Sequence, residues 1–232
     1  MFATAIVVAA GVGRRIGAQV SKTYLPVGGR PLVLRTLDRL FSSTTVEKVI
    51  LVVAAHEMEH CAELLRGDSA LRGRAVIMQT GGETRQQSVK RGLAKVEAET
   101  DIVLIHDGAR PFVSPGLIDR SVQAASEKGA VVVGLPVRDT IKFVGTDRLI
   151  QSTLDRSLLW EIQTPQVFQR QLIVAAHEQA ERDAIEVTDD ATVVERLGVP
   201  VFVIEGERTN LKLTWPEDIW LADVMIREGR IP

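Results

Sequence analysis

The sequence predicts a three-layer, Rossmann-like α/β fold with a mostly parallel β-sheet. Short apolar runs alternate with segments of helical periodicity, which is the order that crossover-connected parallel strands require. The runs are continuously apolar, as expected for strands that helices cover on both faces. The 232 residues, 45% of them hydrophobic, suffice to bury one core. We therefore interpret residues 1–232 as a single domain.

Each element has its own signal in the sequence. Val49–Val53 is continuously apolar, and leucines at helical spacing follow Pro31, a residue suited to a first helical turn. Ser114–Pro115 and Thr214–Glu217 are typical of helix starts, so a helix is expected after each. Further strands are expected at 6–8, 75–78, 102–105, 130–135 and 200–204, and further helices at 31–41, 56–66, 84–96, near 169–182 and near 189–197.

Residues 137–160 interrupt this alternation. Thr140–Val144 and Leu149–Thr153 alternate weakly in polarity around the turn-rich segment Gly145–Asp147, which predicts a β-hairpin. We expect the hairpin to project from the sheet as a β-arm. Because an exposed arm with an apolar side needs cover, it favours contact with a second subunit and hence a homodimer.

The composition argues against several classes of function. A formal net charge of −2 provides no field for nucleic acid or an anionic membrane, and 4% aromatic residues are too few for a base-stacking surface. Cys61, the single cysteine, suits a reducing compartment. The apolar start ends at Arg14 and Arg15, which is too short for a membrane span. We expect a soluble cytoplasmic protein with no nucleic-acid or membrane partner.

The loop after the first strand predicts a phosphate site. Glycines let backbone N–H groups approach a ligand closely, and cations at this density require an anion. A polyphosphate suits this arrangement best. The loop residues concerned are Gly11, Gly13, Arg14, Arg15, Gly17 and Lys22.

Three commoner phosphate motifs do not fit this loop. A P-loop and a dinucleotide fingerprint both require a glycine five residues after Gly11, where Ile16 stands, and Gly17 comes one residue too late. A kinase glycine loop requires downstream His-Arg-Asp and Asp-Phe-Gly segments, which the sequence lacks. The loop therefore belongs to another class of nucleotide site.

Two further loops lie at the edge of the predicted sheet where the strands end and ligands bind. Gly81–Arg85 leads into a helix N-terminus, which favours anions. In the other loop, Asp107 is a hard oxygen ligand suited to Mg²⁺, and Arg110 suits a phosphate. Asp189 and Asp190 are expected to cap a helix rather than bind a metal.

The segment from His56 to His60 matches the His-Glu-x-x-His pattern of zinc proteases. The apolar residues of that predicted helix lie on its opposite face, and neither His106 nor His177 is spaced as a third ligand. We therefore interpret this pair as an exposed surface. Zinc hydrolysis is an alternative that metal content would test.

These segments together resemble the nucleotidyltransferases that activate sugar and polyol phosphates. Their entry loop, Ala-Ala-Gly-x-Gly-x-Arg followed by a lysine, is matched by Ala9–Arg15 and Lys22. Later segments are similar to the 2-C-methyl-D-erythritol 4-phosphate cytidylyltransferase family of the non-mevalonate isoprenoid pathway, which implies a nucleotidyltransferase fold. The segments are HDGARPF (106–112), PVRDTIK (136–142), TLDRSLLW (153–160), QTPQVF (163–168), TDDA (188–191) and NLKLTWPED (210–218).

The resemblance implies that CTP and methylerythritol 4-phosphate react, with Mg²⁺, to give a CDP-alcohol and pyrophosphate. Arg15 and Lys22 would stabilise the charge at the α-phosphate, and Arg156 and Lys212 would hold the substrate phosphate for attack. Thr140 and Arg156 would reach into the site of the neighbouring subunit. The implied nucleotide-binding residues are Ala9, Ala10, Gly11, Gly13, Gly82, Glu83, Ser88 and Gly108. The implied substrate-binding residues are Asp107, Arg110, Thr140, Arg156, Thr164 and Lys212, and Asp107 is also the implied Mg²⁺ ligand.

Two other functions stay open at this point. A ribitol 5-phosphate or other polyol-phosphate cytidylyltransferase would share the entry loop and a His-Asp-x-x-Arg-Pro segment. A non-catalytic nucleotide-binding protein would keep the fold without turnover. Arg14 beside Arg15 and the segment 136–142 favour the methylerythritol family, and the retained charged positions favour catalysis.

Overall fold

In the computed structural model, residues 2–11 and 21–231 are described. Their strands are β1 Ala3–Val8, β2 Pro26–Val27, β3 Arg30–Pro31, β4 Val46–Val53, β5 Ala75–Thr80, β6 Ile102–Asp107, β7 Ala130–Pro136, β8 Lys142–Val144, β9 Ile150–Thr153, β10 Trp160–Gln169 and β11 Phe202–Glu205. Their helices are α1 Leu32–Phe41, α2 Met58–Gly67, α3 Arg85–Leu93, α4 Pro115–Lys128, α5 Arg170–Arg182, α6 Asp190–Glu195 and α7 Pro216–Arg227. Single 3₁₀ turns span Lys22–Tyr24, Ala55–Glu57 and Arg156–Leu158.

The central sheet has the strand order β11-β7-β10-β6-β1-β4-β5 in the described part of the chain. Neighbouring strands are parallel except at β10, which runs antiparallel to both β6 and β7. The predicted α/β fold with a mostly parallel sheet is therefore confirmed. The carboxyl ends of β1, β5 and β6 lie at the same edge of the sheet.

Strand β10 is not predicted from the sequence, which indicates no strand between the arm and the helix near residue 169. Its polar residues and Pro165 break the continuous apolar pattern that marks the other strands. The pairing with β7 shifts in register between Gln163 and Gln166, around the cis Thr164–Pro165 bond. Buried Gln166 is satisfied because its Oε1 accepts hydrogen bonds from the backbone at the start of α6.

Side chains on both faces of the sheet are buried, which explains the continuously apolar strands. In β1, Val7 packs into the core beneath α1, α2 and α4, whereas Ile6 packs into the core beneath α3, α5 and α6. Both side chains are fully buried, and each such burial contributes roughly 1.5–3 kcal/mol to folding. A third, smaller cluster joins Val27 and Leu213 to Ala222 of α7.

The predicted helix starts agree with the structure in two cases and differ in one. Ser114 and Asp189 cap α4 and α6 by accepting hydrogen bonds from Leu117 N and Thr192 N. The predicted capping box of Thr214 and Glu217 is wrong, because α7 begins at Pro216 and the Asp218 carboxylate instead accepts from the backbone of residues 214 and 215.

Strands β8 and β9 form a separate antiparallel hairpin at the position predicted for the arm. Its apolar side chains are open to solvent in the single chain: Leu149 is 66% exposed, Ile150 64% and Leu158, in the following turn, 78%. No helix in the described residues combines the length and apolar composition that a bilayer crossing requires.

Candidate functional site

A cleft of about 260 Å³ lies where the loops after β1, β5 and β6 meet. Backbone hydrogen bonds fix these loops: Gly108 N donates to Val8 O at 2.9 Å, while Ala9 N and Gly81 N each donate at 2.8 Å to the end of β4, at Val52 O and Val53 O. This is the sheet edge at which α/β proteins bind their ligands. The cleft is lined by Val8, Ala9, Ala10, Gly11, Lys22, Thr23, Gly82, Glu83, Thr84, Arg85, Ser88, Asp107, Ala109 and Lys212.

Most of the predicted site residues come together in this cleft. Gly108 is not among the lining residues but lies in the loop after β6 against Val8 and Ala9, and Arg15 and Gly13 lie outside the described residues. The predicted residues that line the cleft are Ala9, Ala10, Gly11, Lys22, Gly82, Glu83, Ser88, Asp107 and Lys212. Their roles in binding or catalysis stay predictions.

The glycine turn before α3 is shaped by close contact with the first loop. A Cβ atom at Gly81 would come within 2.4 Å of the Ala10 Cβ, so the approach of the two loops requires glycine here. Ser88 Oγ accepts a hydrogen bond from Gly82 N at 3.0 Å and donates to Thr84 O. Gly81 N and Glu83 N are likewise bound within the protein, by Val53 O and Gln87 Oε1, so these bonds fix the shape of the turn, and the N-terminus of α3 favours an anion through the helix dipole.

Asp107 is the electrostatic centre of the cleft. Its Oδ2 lies 2.7 Å from Lys212 Nζ and 3.8 Å from Arg110 Nε, and its Oδ1 lies 3.6 Å from Arg85 Nε. Burial alone would raise the pKa of this carboxyl group, but Lys212 and Arg85 outweigh burial and hold it well below its usual range. Asp107 is therefore ionised throughout the range in which the protein would work.

Lys22 also lines the cleft. It begins the 3₁₀ turn that follows the undescribed segment, and its Nζ donates to Leu213 O at 3.2 Å. Lys212, the residue before this carbonyl, carries the second ammonium group of the cleft and is 42% exposed. The two lysines thus meet although 190 positions separate them along the chain.

Thr164 and Arg110 lie beside the cleft and are held by internal hydrogen bonds. Thr164 Oγ1 accepts from Asp107 N at 3.1 Å and bonds to His106 Nδ1 at 3.0 Å. Arg110 is buried and donates to Asn210 O at 2.7 Å; burial lowers its pKa, and Asp107 opposes this effect. Both residues hold Asp107 in place, and their predicted contact with substrate stays a prediction.

His106 is fully buried behind Asp107 and is held as a neutral ring. Its Nε2 lies 3.1 Å from Arg110 O, which can only accept, so Nε2 carries the proton and Nδ1 accepts from Thr164 Oγ1. Burial lowers the pKa of His106 from 6.5 to about 4. The folded protein therefore keeps a neutral imidazole here in mildly acidic solution.

This neutral ring predicts a loss of stability in acid. Between pH 6.5 and 4 the unfolded imidazole is protonated and the folded one is not, so unfolding binds a proton and becomes easier as the pH falls. We expect the His106 contribution to the free energy of unfolding to fall by about 3 kcal/mol across this window. Urea denaturation of the wild type and His106→Gln at several pH values would measure it. A wild-type pH slope that persists in the variant would contradict the assignment.

Arg85 and Asp190 take part in this site although neither was among the predicted binding or catalytic residues. Arg85 lines the cleft and pairs with both Asp107 and the buried Asp190. Burial by itself lowers the pKa of Arg85, but the two carboxylates outweigh burial and raise it. The available signal was the arginine directly after the glycine turn, at a helix start where a basic residue opposes the helix dipole.

Thr140 and Arg156 do not reach the cleft of their own chain. Both are exposed, and the described residues that line the cleft include none from the arm. Arg156 Nη1 donates to Arg138 O at 2.7 Å, within the arm. A contribution of these residues to a site requires the arm to meet another subunit.

The zinc-protease pattern does not form a helical histidine pair. His56 lies in the 3₁₀ turn before α2, its side chain is 71% exposed, and its Nε2 is 3.9 Å from the adjacent carboxylate of Glu57. His60 lies within α2 and packs edge-on against the Tyr24 ring at 4.9 Å. Among the residues that the structure describes, none form a group of three or more His, Cys, Asp or Glu side chains suited to a metal.

Comparisons with known proteins agree with this geometry. The sequence profile of the family described as IspD, 2-C-methyl-D-erythritol 4-phosphate cytidylyltransferase, matches residues 3–228. A protein of that name from Syntrophotalea carbinolica is 45% identical over 95% of this chain and 94% of its own length. One from Pelotomaculum thermopropionicum is 42% identical, with 98% and 96% covered.

Solved structures give the same result. The crystal structure of 4-diphosphocytidyl-2C-methyl-D-erythritol synthase from Anaerococcus prevotii has a TM-score of 0.85 and 31% sequence identity, covering 97% of this chain and 98% of its own. Sequence and fold thus agree over nearly the whole length. The chain belongs to the 2-C-methyl-D-erythritol 4-phosphate cytidylyltransferase family.

Proposed function

We propose that this protein transfers the cytidylyl group of CTP to 2-C-methyl-D-erythritol 4-phosphate, giving 4-diphosphocytidyl-2-C-methyl-D-erythritol and pyrophosphate in isoprenoid precursor biosynthesis. Membership of the family over residues 3–228 carries this proposal. The cleft agrees with it, because two ammonium groups face a glycine-lined loop edge suited to a triphosphate. The alternative polyol-phosphate substrates lack comparable support.

The reaction requires charge stabilisation more than proton transfer. A phosphate monoester is already ionised near neutral pH, so its oxygen attacks the α-phosphate of CTP without a general base. Negative charge then builds up on the α-phosphate and on the leaving pyrophosphate. We assign Lys22, together with Arg15, to the α-phosphate, and Lys212 to the attacking phosphate, since fixed cations in a cleft lower such barriers.

A magnesium ion fits the cleft as a companion of the nucleotide. Asp107 offers one ionised carboxylate, and Mg²⁺ is often held by one or two carboxylates together with substrate phosphates. When bound, the ion would neutralise charge on the phosphates. Asp107 would hold it, while Lys212 and Arg85 keep the carboxylate ionised and oriented.

We further propose a homodimer in which each arm completes the site of the other subunit. The exposed apolar side chains of the arm support this, because such a surface is costly in water. Thr140 and Arg156 lie on the same arm and outside their own cleft. In the dimer, Arg156 would bind the substrate phosphate of the partner's site and Thr140 would line its polyol pocket.

Mixing two defective variants tests this arrangement. Lys22→Ala alters the cleft and Arg156→Ala alters the arm, so a mixed dimer contains one site with both changes and one with neither. We expect exchanged mixtures to regain roughly a quarter of wild-type activity, although each variant alone is impaired. Leu158→Glu should give monomers by sedimentation, whereas Leu197→Glu, an exposed apolar position outside the arm, should not. No recovery from mixtures that do form mixed dimers would contradict the shared site.

A cytoplasmic location is also proposed. The single cysteine, Cys61, is buried and unpaired, and burial raises the pKa of its thiol to about 11, which keeps it unreactive. Such a thiol suits a reducing compartment.

The activity itself is tested by pyrophosphate release with CTP and Mg²⁺. Methylerythritol 4-phosphate and ribitol 5-phosphate would be compared in parallel at equal concentrations. We expect turnover with the first substrate and little with the second. Preference for ribitol 5-phosphate would overturn the substrate, and binding of CTP without turnover on either would indicate a non-catalytic nucleotide binder.

A further inference from the structure

Asp190 is a buried carboxylate that helix capping does not explain. It is the first residue of α6 and only 1% exposed, yet the cap of this helix is Asp189, whose Oδ1 accepts from Thr192 N and Oγ1. The backbone N–H of Asp190 is bound by Gln166 Oε1 at 3.0 Å. Because an unpaired charge in a protein interior is costly, the carboxylate must be stabilised by its side-chain partners.

Each oxygen of Asp190 faces one basic side chain. Arg85 Nη1 lies 2.7 Å from Oδ2 in an ion pair that is not aligned as a hydrogen bond, whereas His177 Nε2 lies within hydrogen-bond distance of Oδ1 at 3.2 Å. His177 is on α5 and 2% exposed, and Arg85 is the first residue of α3. Three helices on one face of the sheet therefore converge on this carboxylate.

Arg85 connects the buried group to the cleft. Its Nε lies 3.6 Å from Asp107 Oδ1, while Lys212 approaches the other oxygen of Asp107 at 2.7 Å. The Arg85 guanidinium thus lies between two carboxylates: Asp190, buried behind the cleft, and Asp107, which lines it. Because the guanidinium is planar and rigid, the close ion pair at Nη1 restricts how near Nε can come to Asp107.

We propose that Asp190 is a positioning residue for the reaction: through Arg85 it orients the Asp107 carboxylate and the glycine turn 81–84 that together receive the nucleotide. The inference rests on the proposed function. If Asp190 lost its charge, Asp107 would be the remaining carboxylate partner of Arg85 among the described residues. The guanidinium is then drawn forward, where it competes with Lys212 and displaces the turn that leads into α3.

The neighbouring aspartates provide a matched pair of variants. Asp190→Asn keeps the shape and removes the charge next to Arg85, and we expect it to raise the KM for CTP about 10-fold. Asp189→Asn also removes one charge at the start of α6, but asparagine still caps the helix, so its KM should stay within about twofold of wild type. A purely structural loss of folded protein would lower kcat per total enzyme and leave the KM unchanged.

A double-mutant cycle tests whether Asp190 acts through Arg85. Arg85→Gln alone should also raise the KM for CTP about 10-fold, and adding Asp190→Asn should raise it little further, since the connection is already lost. Multiplication of the two effects to about 100-fold would overturn the proposal. An unchanged KM in folded Asp190→Asn would overturn it as well.

Two further measurements apply if Asp190→Asn does not fold or if the wild type shows no turnover. If Asp190→Asn does not fold, Arg85→Lys replaces it, because a lysine cannot span both carboxylates with the same geometry; an unchanged KM for CTP in that variant would overturn the proposal. If the wild type does not turn over methylerythritol 4-phosphate, the proposed function fails by itself. Calorimetric CTP binding to the Asp190→Asn and Asp189→Asn proteins then provides the comparison, and equal affinities would overturn the positioning role.

Discussion

Lys22→Ala is expected to lower kcat by about 10²–10⁴-fold. The Lys22 side chain lines the cleft beside the first loop, where the α-phosphate of CTP is proposed to lie. An ammonium group aimed at the developing charge of the transition state contributes more there than to the bound substrate, so kcat should fall further than the affinity for CTP. Steady-state pyrophosphate release and calorimetric CTP binding would measure the two quantities separately.

Lys48→Ala is the matched control for this variant. The variant likewise loses one positive charge and one polar contact, because Lys48 pairs with Glu97. Lys48 lies near the start of β4, however, whereas the cleft lies at the edge where the strands end. We expect its kcat to equal that of the wild type. If Lys22→Ala kept near-wild-type kcat, Lys22 would have no part in the chemical step.

Lys212→Ala is expected to lower kcat/KM for methylerythritol 4-phosphate by about 10²–10³-fold. Lys212 Nζ lies 2.7 Å from Asp107 Oδ2 and lines the cleft, so its loss removes a partner from Asp107 and the cation that we propose for the substrate phosphate. The KM for CTP should change much less. Initial rates with each substrate varied in turn would separate the two effects.

The outcome for Lys212 also distinguishes two interpretations of its ion pair. If Lys212 serves only to stabilise Asp107, Lys212→Ala would lower the melting temperature and leave kcat/KM for the phosphate substrate close to wild type. If it binds the substrate, the rate falls even in fully folded protein. Lys48→Ala again controls for the loss of one surface charge.

Local pattern was sufficient to place the loops that form the cleft. The apolar runs ending near Val8 and Ile105 predicted parallel strands, and parallel strands bring their carboxyl ends to one edge. From this rule alone, Gly11 and Asp107 were expected to lie close together, and both line the cleft. The glycines at positions 81 and 82 likewise predicted a turn before a helix, whereas the contact of Gly81 with the Ala10 side chain was not predicted.

Local pattern was not sufficient for β10 and the residues it carries. The buried part of this strand contains polar residues, so its hydrophobic periodicity is weak even though it lies within the sheet between β7 and β6. Its Thr164 was selected through family resemblance, whereas its binding to Asp107 N and His106 depends on antiparallel pairing that no local signal specified. The same limit applies to Arg85, whose two carboxylate partners are distant in sequence.

The sequence by itself determined the α/β class, the glycine loops, the family and most of the residues that line the cleft. The fold class and the loops follow from periodicity and backbone freedom, whereas the family and most of the site residues follow from the resemblance of short segments to known nucleotidyltransferases. Only the tertiary structure decided which charges meet: that Lys212 and Arg85 hold Asp107, and that a buried aspartate, Asp190, anchors Arg85 from behind. The reason is physical, since ion pairs depend on distance in space, and residues separated by about a hundred positions come within 4 Å only when the sheet order and helix packing are complete.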